Sequence, residues 1–249
     1  MSTANAAMGT GATAMTPLAT PEIGVWVVVK PNDDVVVRIV RSEMGQGTIT
    51  GLAQMVAEEL QCDWKKVSYD YPSPGENLKR NKVWGSYSTG GSRGIRTSEQ
   101  YVRKGGAAAR MMLIQAAANQ WNVPASECVA KDSVITHTPS GKKTTFGKVS
   151  IAASQLEVPK EVPLKDPKEW NLIGKSVNRI DGVADKVTGR QVYAIDLKMP
   201  GMLVANIKES PVFGGKVKSY DATKAQSMKG VKKVVQVGDS AVAVVADTF

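Results

Sequence analysis

The feature that most constrains the fold of this 249-residue chain is a change of hydrophobic pattern at a glycine-rich turn. "GVWVVV" at 24–29 and "VVVRIV" at 35–40 are runs of β-branched residues separated by the turn sequence "KPNDD". Such runs predict a β-hairpin. From Ile49 to Leu60 the apolar residues instead recur at the spacing of one helix face. The chain must therefore pass from strand to helix through "RSEMGQGT", residues 41–48.

The patterns that follow predict an α+β fold of mixed sheets with packed helices. The helix at residues 49–60 carries Glu58 and Glu59 opposite its apolar face. "KVSYDYPS" is predicted as a strand and "PSPGENLKRNKVWGSYSTGGSRGIR" as a long loop. "VPASECVAKDSVITHTPSGKKTTF" predicts a turn and a hairpin, followed by a short helix from Phe146 to about Gln155.

A second long helix is predicted from Thr97 or Ser98 to about Trp121. Its start, "TSEQ", has the form of a capping box, in which side chains satisfy the first backbone N–H groups. Gly105 and Gly106 lie in its interior, where each glycine costs about 1 kcal/mol relative to alanine. We therefore expect another backbone to pack closely against this pair.

Composition divides the chain into parts. Residues 1–22 are small, of low complexity and without periodicity, which predicts a disordered leader. They lack the basic and apolar regions of an intact secretory signal. Residues 158–177 form a proline-rich connector, and residues 178–249 predict strands near "QVYAIDL", "MLVANIK", "KKVVQV" and "AVAVVAD", with a short helix capped by Asp221. The end directly after an apolar strand suggests part of something larger.

The few cysteines and histidines exclude several classes of site. Cys62 and Cys128 cannot make a disulfide framework or a zinc or iron–sulfur site, and we expect two buried free thiols. The single histidine, His137, is expected in a surface turn without a Cys, Asp or Glu cluster. Ser-His-Asp catalysis, zinc hydrolysis and haem ligation are therefore disfavoured, and no metal is expected on this chain's own side chains. No apolar run approaches the roughly 18 residues that span a bilayer.

The net charge of +9 implies an anionic partner. Basic residues are concentrated in one stretch: Lys79, Arg80, Lys82, Arg93, Arg96, Arg103 and Lys104. A solvated basic face explains this stretch equally well. A nucleic-acid-binding module is a further alternative, and it would show steeply salt-dependent binding. It is disfavoured because stacking aromatics do not alternate with the basic residues.

The first candidate site is the turn Gly45, Gln46, Gly47 and Thr48. Its glycines permit a positive φ and leave backbone N–H groups uncovered, and the following helix favours an electron-rich group at its start. Gln46 both donates and accepts hydrogen bonds, so it suits the edge of a heterocycle. Neither a P-loop nor a dinucleotide fingerprint is present, which disfavours a nicotinamide-dependent enzyme. Taken alone, the turn is better explained as a structural connection.

The second candidate site lies in "STGGSRGIRTS", at Thr89, Gly90, Gly91, Ser92 and Arg93. The planar fork of arginine and exposed N–H groups match phosphate oxygens well. A mobile polar loop is the alternative explanation. Two glycine-rich, hydroxyl-rich junctions within one short span favour a ligand with several polar groups, such as a nucleotide-bearing cofactor.

Several stretches together resemble a known family. "EMGQGTITGLAQMVAEEL", "WGSYSTGGSRGIRTS", "GAAARMMLIQAAA" and "PVFGGKVKSYD…GVKKVVQV" resemble, in order, the molybdopterin-binding subunit of the xanthine dehydrogenase and aldehyde oxidase superfamily. The most similar group is the beta subunit of isoquinoline 1-oxidoreductase, with related membrane-associated bacterial aldehyde dehydrogenases. The resemblance implies a portion of a molybdopterin-binding domain at 23–157. After the connector, it implies the start of an α/β-hammerhead domain at 178–249.

The resemblance assigns roles to both candidate sites. Gly45–Gly47 match the family's cofactor-contacting turn, and the loop Thr89–Arg93 matches the one that holds the phosphates of the pterin dinucleotide. The implied cofactor is molybdopterin cytosine dinucleotide, whose dithiolene sulfurs hold the molybdenum, so that the protein supplies hydrogen bonds and orientation. The family's catalytic glutamate lies near the far C-terminal end, outside this sequence. Neither Glu43 nor Glu59 takes its place, and no catalytic residue is assigned.

The resemblance also implies the reaction and the partners. The family oxidises aldehydes or N-heteroaromatic carbons with oxygen from water and passes electrons to iron–sulfur clusters. The implied partners are a small [2Fe-2S] subunit, a separate chain with the C-terminal catalytic half, and a cytochrome c subunit, with no nucleic acid. A periplasmic location is implied by resemblance alone, since no twin-arginine signal is present. A non-catalytic assembly or scaffold chain with vestigial cofactor loops remains an alternative.

Overall fold

The structure is a computed structural model that describes residues 21–248. The predicted leader, residues 1–22, lies outside this range except for its last two residues. The chain forms two compact units, divided in sequence between Ala184 and Asp185. The predicted connector, residues 158–177, folds with the first unit. The predicted domain boundaries themselves stay a prediction.

The first unit contains most of the regular elements. Its strands are β1 (Glu22–Ile23), β2 (Val27–Val29), β3 (Val35–Arg38), β4 (Val67–Asp70), β5 (Cys128–Lys131), β6 (Val134–His137) and β7 (Lys143–Thr145). Its helices are α1 (Thr48–Leu60), α2 (Pro74–Lys79), α3 (Arg93–Arg96), α4 (Glu99–Trp121) and α5 (Phe146–Ser154), and α6 (Val183–Val187) spans the division between the units. Helices and sheets are thus mixed, which confirms the α+β class.

The first sheet has the order β1-β2-β3-β4. The predicted hairpin is confirmed, with Val28 of β2 opposite Val36 of β3 in an antiparallel ladder. β3 pairs in parallel with β4, and α1 connects these two strands. A parallel pair requires such a crossover connection, usually a helix that packs on the sheet. The glycine-rich turn therefore lies beyond the carboxyl end of β3, where the chain enters this helix.

Helices α1 and α4 pack closely through the glycine pair predicted from the sequence. A Cβ atom on Gly106 would lie closer than 3.0 Å to the backbone oxygen of Val56, and one on Gly105 would meet the side chain of Trp26. The apolar face of α1, including Leu52 and Leu60, is fully buried between the sheet and α4. The expected close approach of two backbones is confirmed.

The position predicted for two acidic residues of α1 is wrong. Glu58 and Glu59 are both fully buried. One oxygen of Glu58 accepts the backbone N–H groups of residues 171–173 at 2.8, 2.6 and 3.2 Å, and the other pairs with the Lys165 ammonium. Glu59 accepts two hydrogen bonds from Arg103 of α4, at 2.9 and 2.7 Å. The proline-rich segment thus covers this side of α1 and supplies the partners that make burial of both carboxylates possible.

Three further local predictions are wrong. The region predicted as a long loop contains the short helices α2 and α3. No capping box starts α4, because the Thr97 hydroxyl donates to the backbone oxygen of Arg93, and the hydroxyl of Ser98, the N-cap, accepts from Arg41 and Tyr101. His137 is not in a surface turn but is buried in β6, with its ring nitrogens 2.6 Å from Ser140 Oγ and 2.8 Å from Glu127 Oε2.

The remaining elements of the first unit follow the sequence. The strands β5, β6 and β7 form an antiparallel sheet that leads into α5. Cys62 and Cys128 are buried free thiols, as expected. Burial raises the pKa of the Cys62 thiol to about 12, so this thiol is protonated and unreactive near neutral pH.

The second unit contains β8 (Val204–Glu209), α7 (Thr223–Gln226), β9 (Val231–Val237) and β10 (Ala241–Ala246). Its sheet is antiparallel with the order β8-β10-β9. Asp221 accepts the backbone N–H of Thr223, the first residue of α7, at 2.9 Å, but the N-cap position predicted for Asp221 is occupied by Ala222. The strand predicted at "QVYAIDL" is wrong, since this stretch holds only a 3-10 turn at Ala194–Asp196. Among residues 21–248, no helix is long and apolar enough to cross a bilayer.

Candidate functional site

The first predicted loop connects the end of β3 to the start of α1. Gly45 and Gly47 have φ values of 98° and 81°, in the left-handed region that favours glycine. Gly47 is the residue before the first helical turn, and no side chain of its own is available to cap the helix. The sequence therefore requires glycine at both positions to turn the chain into the helix.

The N–H groups of this turn are not uncovered, contrary to the prediction. One carboxylate oxygen of Glu43 accepts the N–H groups of Gly45 and Gly47 at 2.8 and 2.9 Å. The other accepts the N–H of Ile49 at 3.1 Å. The chain thus places its own carboxylate at the positive end of α1. The two left-handed glycines make this possible because they fold the turn back over the residue that precedes it.

Gln46 lies at the exposed tip of the turn. Its Nε2 donates to the backbone oxygen of Ser42 at 2.8 Å, and its Oε1 accepts the N–H of Met44 at 2.5 Å. A carboxamide has two donor hydrogens and two acceptor lone pairs. One of each therefore remains available to a ligand, while the two internal bonds hold the side chain in place.

The two predicted loops lie side by side. The backbone N–H of Ser42 donates to Thr89 Oγ1 at 2.9 Å, which joins the segment before the turn to the second loop. A Cβ atom on Gly94 would lie 2.9 Å from Thr48 Oγ1, so α3 and the start of α1 are also in close approach. Residues 45–48 and 89–93, about 40 positions apart in the sequence, are thus brought together.

Arg41 holds the second loop from within. This buried side chain donates to the backbone oxygens of Ser86, at 3.1 Å, and Ser88, and to the hydroxyls of Thr97 and Ser98 at 3.3 and 3.0 Å. It therefore connects both ends of the loop to the end of β3. Arg41 was not predicted as a site residue from the sequence. The pattern that could have indicated it is an arginine placed directly after an apolar strand.

The outer side of the second loop is basic and exposed. Arg93 donates to Gly90 O at 3.1 Å and to Ser88 Oγ at 3.0 Å. Arg96 donates to the Gly91 backbone oxygen at 3.4 Å. A guanidinium has five donor hydrogens, so each arginine retains several for an anion. A Cβ atom on Gly90 would meet nothing within 4 Å, which leaves the loop backbone accessible.

A third segment, not predicted from the sequence, reaches the turn. Arg179 pairs with Asp181 at 2.5 and 2.9 Å and lies 3.7 Å from Glu43 Oε1. The hydrogen bond to Asp181 raises the pKa of Arg179. Tyr71, directly after β4, accepts the N–H of Glu43 at 3.0 Å, and burial raises the pKa of Tyr71, so it stays a neutral phenol. No short motif marks either residue.

The site thus offers two different kinds of chemistry. The turn presents the neutral carboxamide of Gln46, because Glu43 already satisfies the N–H groups behind it. The loop Thr89–Arg93 presents hydroxyls, open glycine backbone and arginine donors, which fit a phosphate. Within residues 21–248, no group of three or more His, Cys, Asp or Glu side chains could hold a metal ion. This arrangement suits a large cofactor with a neutral polar end and a phosphate-bearing end.

Two glycine-rich loops held side by side are the arrangement expected of a cofactor-binding protein. The family described as "Molybdopterin cofactor-binding domain" matches residues 1–192, and the chain belongs to this family. The resemblance predicted from the sequence is confirmed: the chain is a molybdopterin-binding member of the xanthine dehydrogenase and aldehyde oxidase superfamily of oxidoreductases.

Two named relatives match most of the chain. It is similar to the membrane-bound aldehyde dehydrogenase (pyrroloquinoline-quinone) of Gluconacetobacter polyoxogenes, with 31% identity over 86% of this chain and 28% of that protein. It is also similar to isoquinoline 1-oxidoreductase subunit beta of Brevundimonas diminuta, with 28% identity over 98% of this chain and 36% of that protein. The chain therefore spans about a third of the length of these relatives.

Among solved structures, quinoline 2-oxidoreductase from Pseudomonas putida 86 matches with a TM-score of 0.35 and 19% identity. That match covers 51% of this chain and 15% of the other.

Proposed function

We propose that this chain is the cofactor-binding part of a molybdenum hydroxylase and that it binds molybdopterin cytosine dinucleotide. The observation that carries the proposal is the hydrogen bond between Ser42 and Thr89, which holds the two glycine-rich loops side by side. A dinucleotide form of the cofactor has both a pterin end and phosphates, and the two loops offer matching groups at neighbouring positions. Membership of the molybdopterin-binding family supports the same conclusion.

The two loops take different parts of the cofactor. Thr89, Gly90, Gly91, Ser92 and Arg93 bind the phosphates through hydroxyl, backbone and guanidinium donors. When bound, the cofactor supplies molybdenum chemistry, in which substrate gains an oxygen from water and gives up electrons. The residues of this chain bind the cofactor and orient it.

At the other end, Gly45, Gln46, Gly47 and Thr48 orient the pterin and its metal. The free donor and acceptor of the Gln46 carboxamide make the contacts, and the glycines let the cofactor approach the turn backbone. No residue of this chain is proposed as the catalytic acid or base. The chain alone is therefore expected to bind cofactor without turning over substrate.

The whole enzyme is proposed to oxidise aldehydes or N-heteroaromatic compounds in the periplasm. The names of the relatives, an aldehyde dehydrogenase and an isoquinoline 1-oxidoreductase, support these substrate classes. The proposed partners are a small [2Fe-2S] subunit, a chain with the remaining family motifs, and a cytochrome c subunit. The second unit, with its antiparallel sheet and α7, is proposed as the start of an α/β-hammerhead domain.

The test is to produce the chain with its partner subunits and measure molybdenum, pterin and released cytidine monophosphate. We expect all three, and we expect Arg93→Ala to lower their content. Lys104→Ala is the matched control, since it removes an equally exposed charge from α4 outside both loops. A complex without molybdenum or pterin would instead support the scaffold function. If Gln46→Ala leaves cofactor content and activity unchanged, the turn is only a structural connection.

A further inference from the structure

We infer that Glu43 is a positioning and specificity-determining residue that fills the anion cradle at the start of α1. It thereby reserves the Gly-Gln-Gly turn for an uncharged part of the ligand and leaves anionic groups to the loop Thr89–Arg93. The identity of the ligand rests on the proposed function. The filled cradle does not, because it depends only on contacts within this chain.

The contacts of Glu43 are those that a bound phosphate would otherwise make. Three N–H groups, of Gly45, Gly47 and Ile49, point to its carboxylate within 3.1 Å. N–H groups at a helix start form a ready anion site. The Glu43 side chain is only 8% exposed, and the Arg179 guanidinium lies 3.7 Å from its Oε1. The chain's own carboxylate therefore already occupies the acceptor position of these three N–H groups.

An external anion cannot bind here at low cost. It would have to displace Glu43 from three charge-assisted hydrogen bonds, or stay beside a like charge. Arg179 does not change this balance, because Asp181 pairs with it at 2.5 Å. Two carboxylates and one guanidinium thus surround the turn. An uncharged group, such as the edge of a heterocycle, neither has to displace Glu43 nor is repelled by its charge. It can form hydrogen bonds with the free donor and acceptor of Gln46.

The same segment sets the distance between the two loops. Glu43 fixes the turn, Ser42 donates to Thr89, and Arg41 holds the second loop at both ends. Three consecutive residues therefore place the neutral end of the site relative to its basic end. A variant of Glu43 should loosen the turn while the bonds of Arg41 keep the second loop in place.

The test uses the full chain, isotope-labelled for amide NMR, with inorganic phosphate as the probe. In wild type, phosphate should leave the amide signals of Gly45, Gly47 and Ile49 unchanged. In Glu43→Ala these three amides should exchange with solvent about tenfold faster or more, since each loses a hydrogen bond to a charged group. Their signals should also shift with added phosphate. Glu161→Ala, an exposed glutamate elsewhere in the first unit, should match wild type.

Glu43→Gln keeps the test decisive if Glu43→Ala does not fold. Its amide oxygen can still accept from Gly45 and Gly47, but its NH₂ group faces the N–H of Ile49, so only the Ile49 amide should exchange faster. Phosphate-dependent shifts at these amides in wild type, or unchanged exchange in both variants, would overturn the inference. A cofactor-free complex would overturn the proposed function alone, because these measurements need no cofactor.

Discussion

Arg103 contacts two glutamates in different surroundings, and this allows a sharp test of how the first unit is stabilised. Its Nε and Nη2 donate to one oxygen of Glu59 at 2.9 and 2.7 Å, and its Nη1 lies 3.4 Å from Glu99. The side chain of Glu59 is fully buried, whereas that of Glu99 is 49% exposed. We predict that Glu59→Gln strongly destabilises the first unit and that Glu99→Gln does not.

The magnitudes follow from the burial of each pair. An exposed pair one helical turn apart contributes about 0.3–0.5 kcal/mol. Breaking a buried pair by removing one partner costs about 3–5 kcal/mol. Glutamine keeps the volume of Glu59 but places an NH₂ group against either Arg103 or the N–H of Lys165, 3.1 Å away, and both of these are donors. We expect a loss of about 3 kcal/mol, which is about a hundredfold change in the unfolding equilibrium.

Urea unfolding followed by tryptophan fluorescence measures this difference. All five tryptophans lie before residue 184, so the signal reports only on the first unit. Trp170 is a direct probe, because its ring lies 5.1 Å from the Arg103 guanidinium. If the two variants unfold at the same urea concentration, the buried pair contributes no more than the exposed one, and the reasoning is refuted.

Three further predictions concern the same unit. Gly106→Ala should destabilise by about 1–3 kcal/mol through overpacking against the Val56 backbone, whereas Gly75→Ala, with only a contact at 3.9 Å, should be neutral or stabilising by urea unfolding. Burial raises the pKa of Glu58, but hydrogen bonds from a lysine and three backbone N–H groups outweigh burial and hold this pKa below its usual value. Ionised Glu58 therefore stabilises the fold near neutral pH, and this contribution is lost on acidification through the lowered pKa; Glu58→Gln should flatten the acid limb of a stability–pH curve. Thr89→Val should speed exchange of the Ser42 amide by removing its acceptor, with no change at α5 as the control.

The parts of the fold that sequence reasoning predicted are those encoded by local pattern. The hairpin β2–β3, helix α1 and the length of α4 each follow from periodicity within a short window. The glycine pair of α4 predicted close packing because glycine lowers the stability of a helix interior relative to alanine. Short elements such as α2 and α3 carry too few residues to show a period, so they were predicted as loop.

The burial of Glu58 and Glu59 shows why the rest was not predictable. Lys165 and residues 171–173, which donate to these carboxylates, are more than 100 positions away in the sequence, and Arg103, the other partner of Glu59, is 44 positions away. A helical pattern places acidic residues on the polar face, and only a distant segment with matching donors can reverse that assignment. The burial of His137 depends on a nearer partner, since Glu127, 10 positions away, reaches it only because β5 and β6 form a hairpin.

For the site, sequence reasoning identified the loops but not what holds them. The positions of Gly45 and Gly47 followed from their need for a positive φ. Glu43 fills the cradle only because the turn folds back over it, which the sequence does not show. Arg179 approaches from a segment more than 130 positions away. A glycine pattern therefore locates a cradle without showing whether the chain itself already occupies it.

The charges of the site follow from this arrangement. Arg41 bonds only to neutral acceptors among residues 21–248, so its charge is not cancelled and adds to those of Arg93 and Arg96 at the second loop. Glu43 places the opposite sign at the turn. We expect this difference in sign between the two ends to orient a charged ligand before close contact forms. Arg41 and Glu43 both follow β3 within five residues, so the end of this strand positions one charge of each sign.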